Sequence, residues 1–447
     1  MVCHQKEAGK VWGGYTLELS LDRHFISNSE HSITPLKQLT TSESSAMTTT
    51  QDSRNHLSTP VHDPLYGRLT RRGALGALSA WATLPATFHS PVHAEGTSPL
   101  KIAQSIALSG PLGELGQAMH QGAKACFAAI NAQGGVNSRL VELTAVDDGY
   151  NIKRAVANVQ GFIEDHNNFA LFNCMGTPMI EAVLPQVIES GMPFFAPFSG
   201  ALSARPKNTR NVFNIRASYA DETEQLVQHL ATIGIKRLAI VYQNNTFGKE
   251  VFNATQQSMT KHKLDAIAVV TVENNSADAA MAAARIASSN PEAVLIGLAG
   301  KPTIDFVTAI RLQRKGIPLY ALSVMGTAAT LKAMGSDATG IAVSQVVPLP
   351  GNTVVPVVRE FQQAWKAAGT TLEPSHLALE GYINARVFVE ALRRAGRNPT
   401  RSTFIDSLWN LKRYDLGGFE VSFTDSARNA SHFVELTMVS RDGRFIR

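Results

Sequence analysis

Cysteine is scarce: in 447 residues there are three, Cys3, Cys126 and Cys174, all far apart. No Cys-x-x-Cys or paired Cys/His spacing exists from which a ribbon-like zinc site or a thioredoxin-like redox motif could be built. Cys126 and Cys174 could pair only after export, and as small hydrophobes they read better as two buried thiols. Charge is thin as well, 17% of residues with a net excess of +5, and basic clusters interleaved with aromatics are missing, which argues against a nucleic-acid partner. No G-x-x-x-x-G-K-[ST], H-E-x-x-H or G-x-S-x-G occurs, and the histidines lack ligand spacing. No metal, no cofactor and no catalytic residue is therefore expected, and the chain reads as a binding protein and not an enzyme. Long hydrophobic runs are lacking too: the stretch from Gly73 to Phe88 is broken by Pro85 and falls short of the roughly 20 apolar residues a bilayer-spanning helix needs.

What is present begins with a leader. Residues 1–66 are rich in Ser, Thr, His and charge without apolar periodicity, the pattern of a disordered or over-extended N-terminus. Arg68-Leu69-Thr70-Arg71-Arg72 then precedes the short apolar run, and Val92-His93-Ala94 places small residues where a signal peptidase needs them. Residues 67–94 read as a twin-arginine-like signal peptide, which implies a periplasmic, exported protein.

From Leu100 onward, short β-rich apolar runs alternate with amphipathic helical stretches, which implies parallel sheets flanked by helices. Strands are expected at Lys101–Leu108, Leu140–Val146, Phe169–Cys174, Pro193–Pro197, Leu238–Gln243, Ala266–Val272, Ala293–Leu298 and Leu319–Val324, with helices at Gln117–Ala132 and Ile152–His166. The length suits two α/β Rossmann-like lobes. With crossovers near Arg216–Tyr219, Gln345–Pro350 and Lys412–Leu416, the first lobe takes residues 99–217 plus 346–412 and the second 218–345 plus 413–447. Several short crossings make a hinge with few directions of motion.

In parallel sheets ligands gather beyond the carboxyl ends of strands, where helix N-termini present free N–H groups. The loop Ser109–Gly116 offers close backbone approach and an apolar contact through Leu115. Cys174–Pro178 places Thr177 at an N-cap and Pro178 at the first helical position. Ser199-Gly200-Ala201 sets a second hydroxyl beside free amides, Phe247 can close over a ligand, and Ala299 and Met325 sit on loops that make the far wall nonpolar. Asp147-Asp148 are adjacent on a strand end and point apart, so they read as loop hydrogen-bonders and not as an acid/base pair.

These residues resemble a known family, the type I periplasmic solute-binding proteins of the branched-chain amino acid (Leu/Ile/Val-binding) class. The resemblance spans nearly the whole mature chain, through Ser109-Gly110-Pro111-Leu112, Ile130–Val136, Asp147-Asp148, Gly191–Pro197, Tyr242–Gly248 and Leu379–Arg386. It implies a small amino acid or organic acid captured by hinge closure, and a membrane permease and ATPase of an ABC importer as partners. A sensor subunit and, less well supported, an exported enzyme are the other readings. By motif matching, the carboxylate grip falls on Thr177, Ser199 and Ala201. The aromatic before Gly248 is Phe247, without a hydroxyl, and the loop around Met325 has no acid for a ligand ammonium. A carboxylate with an apolar or aromatic body is thus expected over an ordinary amino acid.

Overall fold

The structure, a computed structural model, describes residues 98–423 and 429–447. The N-terminal extension and leader expected over residues 1–94 lie outside the described residues. The first sheet is parallel throughout: β1 (Leu100–Ile106), β2 (Val141–Asp147), β3 (Asn168–Phe172), β4 (Phe194–Phe195) and β5 (Val212–Phe213) lie in the order β2-β1-β3-β4-β5. The second holds β6 (Leu238–Gln243), β7 (Ala266–Val272), β8 (Ala293–Gly297), β9 (Leu319–Ala321) and β10 (Ala342–Gln345), again parallel. A separate ribbon, β11 (Tyr414–Asp415) and β12 (Glu420–Val421), precedes β13 (Glu435–Val439) and β14 (Phe445–Ile446), which close the second sheet antiparallel in the order β14-β13-β10-β9-β8-β6-β7.

Burial follows the strand sequences. β8, Ala-Val-Leu-Ile-Gly, is buried at every residue, as a central strand covered on both faces must be. β2 and β7 lie on sheet edges, and along most of each strand half-buried positions alternate with exposed ones. Helices α1 (Gly113–Ala132), α2 (Ile152–Glu164) and α3 (Thr177–Ser190) clothe the first sheet, and α4 (Tyr219–Thr232), α5 (Thr246–Lys261), α6 (Ala279–Ser288), α7 (Lys301–Gln313) and α8 (Ala328–Met334) serve the second. The chain then returns: α9 (Pro356–Ala367), α10 (His376–Ala395) and α11 (Arg401–Trp409) pack back over the first sheet. Phe127, Phe172, Phe195, Phe388 and Phe404 interlock there, with Phe388 and Phe404 ring centroids 4.7 Å apart and Phe172 and Phe388 5.6 Å apart.

The passage into α4 is fixed by a capping box: Ser218 Oγ accepts from Asp221 N at 3.1 Å, and Asp221 Oδ2 accepts from Ser218 N at 2.8 Å. Leu411, Leu416, Phe419, Val421 and Phe423 are buried in the aromatic core of the first lobe, which holds the ribbon there. Only beyond it does the chain lie along the first crossing, Ala430 N and Ser431 N donating to Asn214 O and Ile215 O at 2.9 and 3.0 Å, before entering β13.

Cys126 and Cys174 are free thiols, buried in different cores. Burial pushes both up to about 12, and Cys174 Sγ accepts from Ser105 N at 3.4 Å. Among the described residues no helix is long and apolar enough to cross a membrane, and no cluster of His, Cys, Asp or Glu is arranged to hold a metal ion.

Candidate functional site

The carboxyl ends of β1, β2, β3 and β4 face those of β6, β8 and β9 across a narrow cleft. From the first lobe Leu112, Leu115, Tyr150, Met175, Gly176, Thr177 and Phe198 line it. Tyr219 and Phe247 enter from the first turns of α4 and α5, and Ala299 and Val324 complete the far wall. The walls nearly touch, leaving about 20 Å³, room for about one water molecule. No ionisable carboxylate, ammonium, guanidinium or imidazole is among these lining side chains.

The grip is built at the N-terminus of α3. Gly176 adopts φ +96° and is itself the N-cap, so the helix starts at Thr177, one residue earlier than the expected Pro178. The Thr177 hydroxyl is not committed to capping. It shares a 2.7 Å hydrogen bond with Ser199 Oγ, and Tyr219 lines the cavity wall with it. Ser199 Oγ also accepts from Ala201 N at 3.1 Å. Behind this loop Arg205, fully buried, donates from Nη1 to Ser199 O at 3.1 Å and Ala201 O at 2.7 Å, and from Nη2 to Arg216 O at 3.0 Å. Burial lowers its guanidinium to about 10, leaving it protonated at neutral pH.

Two tyrosines rest on bare glycine backbone. A Cβ on Gly200 would come within 2.4 Å of the Tyr219 ring, and one on Gly176 within 2.8 Å of the Tyr150 ring. Phe247 meets Tyr219 edge-on, centroids 5.4 Å apart. Tyr150 itself has φ +60°, a left-handed conformation that costs a non-glycine residue about 1–2 kcal/mol.

The expected site residues are thus partly brought together. Leu115, Thr177, Phe247 and Ala299 line the cavity; Ser199, Gly200 and Ala201 lie just behind it, supporting Thr177 and Tyr219. Met325 does not reach it. Ser323–Met325 form a 3-10 turn, whose roughly 120° rotation per residue brings Val324 to the cleft and sends Met325 into the outer core of the second lobe. Tyr150, Phe198 and Tyr219 were not singled out from the sequence, because lone aromatics near strand ends look like core residues.

A buried ionic cluster stands behind the walls. Arg216 lies 3.4 Å from Glu222 and 3.7 Å from Glu380, its guanidinium 5.0 Å from the Phe198 ring centroid. Glu222 accepts from Ser323 N at 2.8 Å and Ser344 Oγ at 2.7 Å. Burial, only partly offset by Arg216, pushes Glu380 up to about 6. Glu380 interrupts the apolar run Leu377-Ala378-Leu379, a sequence sign of a partnered buried carboxylate.

Asp147 and Asp148 anchor loops as expected. Asp147 Oδ1 accepts from Leu108 N, Gly149 N and Ser109 N, and its Oδ2 from Ser109 Oγ. Burial alone would raise Asp147, but these donors outweigh it and hold the carboxyl at about 2. Two further contacts join the lobes: Thr330 Oγ1 donates to Glu114 Oε1, and Leu202 N donates to Glu250 Oε2 at 3.0 Å.

Comparison with known proteins places this geometry. A model of the periplasmic binding protein family matches residues 99–444. Leu/Ile/Val-binding protein homolog 7 of Brucella abortus is 22% identical over 320 residues, spanning 67% of this chain and 78% of its own. A substrate-binding periplasmic protein from Ralstonia solanacearum superposes with a TM-score of 0.74 at 33% identity, covering 78% of this chain and 99% of its own. The solute-binding protein of an R. palustris ABC transporter, solved in complex with benzoate, shares the fold at TM-score 0.71 and 18% identity over 78% of this chain and 95% of its own.

Proposed function

This chain belongs to the periplasmic binding protein family, and on that premise we propose that it is the substrate-capturing subunit of an ABC importer, specific for a small carboxylate with an apolar or aromatic body. One observation carries the reading: the Thr177 hydroxyl stands at a helix N-terminus on the wall of a cleft whose lining bears no charged side chain, with the Ser199 hydroxyl and the Ala201 amide hydrogen-bonded in series directly behind it. A ligand carboxylate accepts from these donors in place of the bonds they now make to one another. Its body then lies against Leu115, Phe247, Ala299 and Val324. An α-ammonium would find no carboxylate partner there and would lose its hydration uncompensated. The benzoate held by the R. palustris neighbour supports an acid of this kind on this fold.

Capture proceeds by closure. The open form admits the ligand, and contacts to both lobes favour the closed one by the ligand's differential affinity. The two lobes, divided near residues 217 and 345 and joined again beyond 429, move about these crossings; Gly200 and Met325 act behind the walls. Export through the leader at 67–94 would deliver the protein to the periplasm, where a permease and its ATPase receive the ligand. The test is a melting-temperature panel on ligand-stripped Glu95–Arg447, with amino acids, aliphatic acids, aromatic acids, amides and urea. Ligand that binds only the native state raises the melting temperature. A selective rise with apolar acids is the expected result, and a rise with leucine alone would overturn the carboxylate reading.

A further inference from the structure

We infer that Tyr150 is the specificity-determining residue of the cleft, selecting a flat aromatic acid over an aliphatic one of equal size; this rests on the carboxylate reading above. The first observation is conformational. Tyr150 stands at φ +60° directly after Gly149 at φ +56°, in a region an L-residue of its bulk rarely adopts. Strain of this sort persists only where surrounding structure over-determines it, and it concentrates at ligand clamps. Here the surrounding structure is explicit. Tyr150 N donates to Asp148 Oδ1 at 2.9 Å, and Asn151 N donates to Asp148 O at 3.0 Å. Asp148, fully buried, is held in turn by Ser105 Oγ at 2.8 Å. A loop that needed only to turn would place Gly or Asn at this position.

The second observation is where the ring goes. It lies on the backbone of Gly176, immediately before Thr177, and so directly beside the carboxylate grip. Tyr219, seated on Gly200 and edge-on to Phe247, flanks the same grip from the α4 side. A carboxylate held at Thr177 therefore carries its body between ring surfaces. Rings meet rings favourably in offset or edge-on geometry, beyond the area they bury, whereas a saturated ring gains only the burial.

The test is calorimetric titration of wild type, Tyr150→Asn and Tyr150→Phe with benzoate, cyclohexanecarboxylate and leucine. Asn adopts the left-handed region readily, so Tyr150→Asn removes the ring without new backbone strain, and thermal melting checks that each variant folds. Wild type should prefer benzoate over cyclohexanecarboxylate by about threefold to tenfold, the range of one ring–ring contact. Tyr150→Asn should abolish that preference. Tyr150→Phe, which retains the ring, should keep it. Equal affinity of wild type for the two acids, or a preference that survives in Tyr150→Asn, overturns the inference and leaves the carboxylate reading standing. Tight leucine binding with neither acid bound, or no binding of either acid to folded wild type, overturns both. If Tyr150→Asn does not fold, the decision passes to wild type and Tyr150→Phe: a preference absent from either one overturns the inference.

Discussion

The hydroxyls of Thr177 and Ser199 lie 2.7 Å apart although 22 residues separate them, because β3 and β4 are parallel neighbours that end at one edge of the sheet. Each hydroxyl holds the other in place for a guest. Ser199→Ala removes one donor and leaves Ala201 N without its acceptor. Ligand affinity should fall about tenfold to hundredfold, as for a hydrogen bond to a charged group, with about 1 kcal/mol of stability lost. Titration and urea unfolding measure the two effects; affinity unchanged with stability lost would make Ser199 purely structural.

Gly200→Ala places a Cβ where the Tyr219 ring lies, 2.4 Å away. Overpacking of this kind costs about 1–3 kcal/mol. The double variant Gly200→Ala/Tyr219→Ala should recover part of that loss, since the clash is removed with the ring. Thermal melting of the four combinations gives the coupling, and simple additivity would show that the clash is relieved elsewhere.

Glu380 gives a pH signature. Its folded value, about 6, lies above the ordinary 4.5 because of burial, with Arg216 opposing. The folded state thus binds this proton more tightly than the unfolded one. The contribution is fully present below about pH 4.5 and lost as pH rises through about 6. Glu380→Gln should flatten that part of the stability profile. Urea unfolding between pH 4.5 and 7 tests it, and an unchanged slope would refute the assignment.

Asp147 has the opposite sign. Held at about 2 against an ordinary 3.8, it contributes stability above pH 3.8 that disappears as pH falls through about 2. Asp147→Asn should therefore be more destabilising at pH 7 than at pH 3. A substitution effect that does not change with pH would contradict this.

Glu114 joins α1 to Thr330 of α8 across the cleft. Glu114→Ala should shift the unliganded protein toward the open form and weaken ligand binding by about threefold to tenfold. Small-angle scattering reads the first effect and titration the second. No expansion in scattering would show that the contact does not hold the lobes.

Much of this architecture is legible in the residues. β6 and β7 fall at Leu238–Gln243 and Ala266–Val272 as expected, since each is an uninterrupted β-rich apolar run. The second-sheet strand expected to continue to Val324 stops at Ala321, because the 3-10 turn that follows is equally apolar. β5, two residues long, is too short to carry a period. The same one-residue resolution limits the site. Gly176 took the capping role assigned to Thr177, and Val324 the wall position assigned to Met325. Arg216 and Glu380 meet across a large sequence separation, and nothing local to either names the other. Tyr150 is hidden for a related reason: its importance comes from a backbone angle and from Gly176, neither of which a pattern of polar and apolar residues encodes.

The returns of the chain also bear on its synthesis. The first lobe lacks α9, α10 and α11 until residue 409 has been made, and the second lacks β13 and β14 until residue 446. Neither half is complete once β10 has been made, since each waits on segments that follow it in the chain. A stop soon after β10 leaves the first sheet without its covering helices and the β10 edge of the second sheet unpaired, exposed to mispairing with other chains. The same threading that ties the lobes together makes each wait for the other before it can mature.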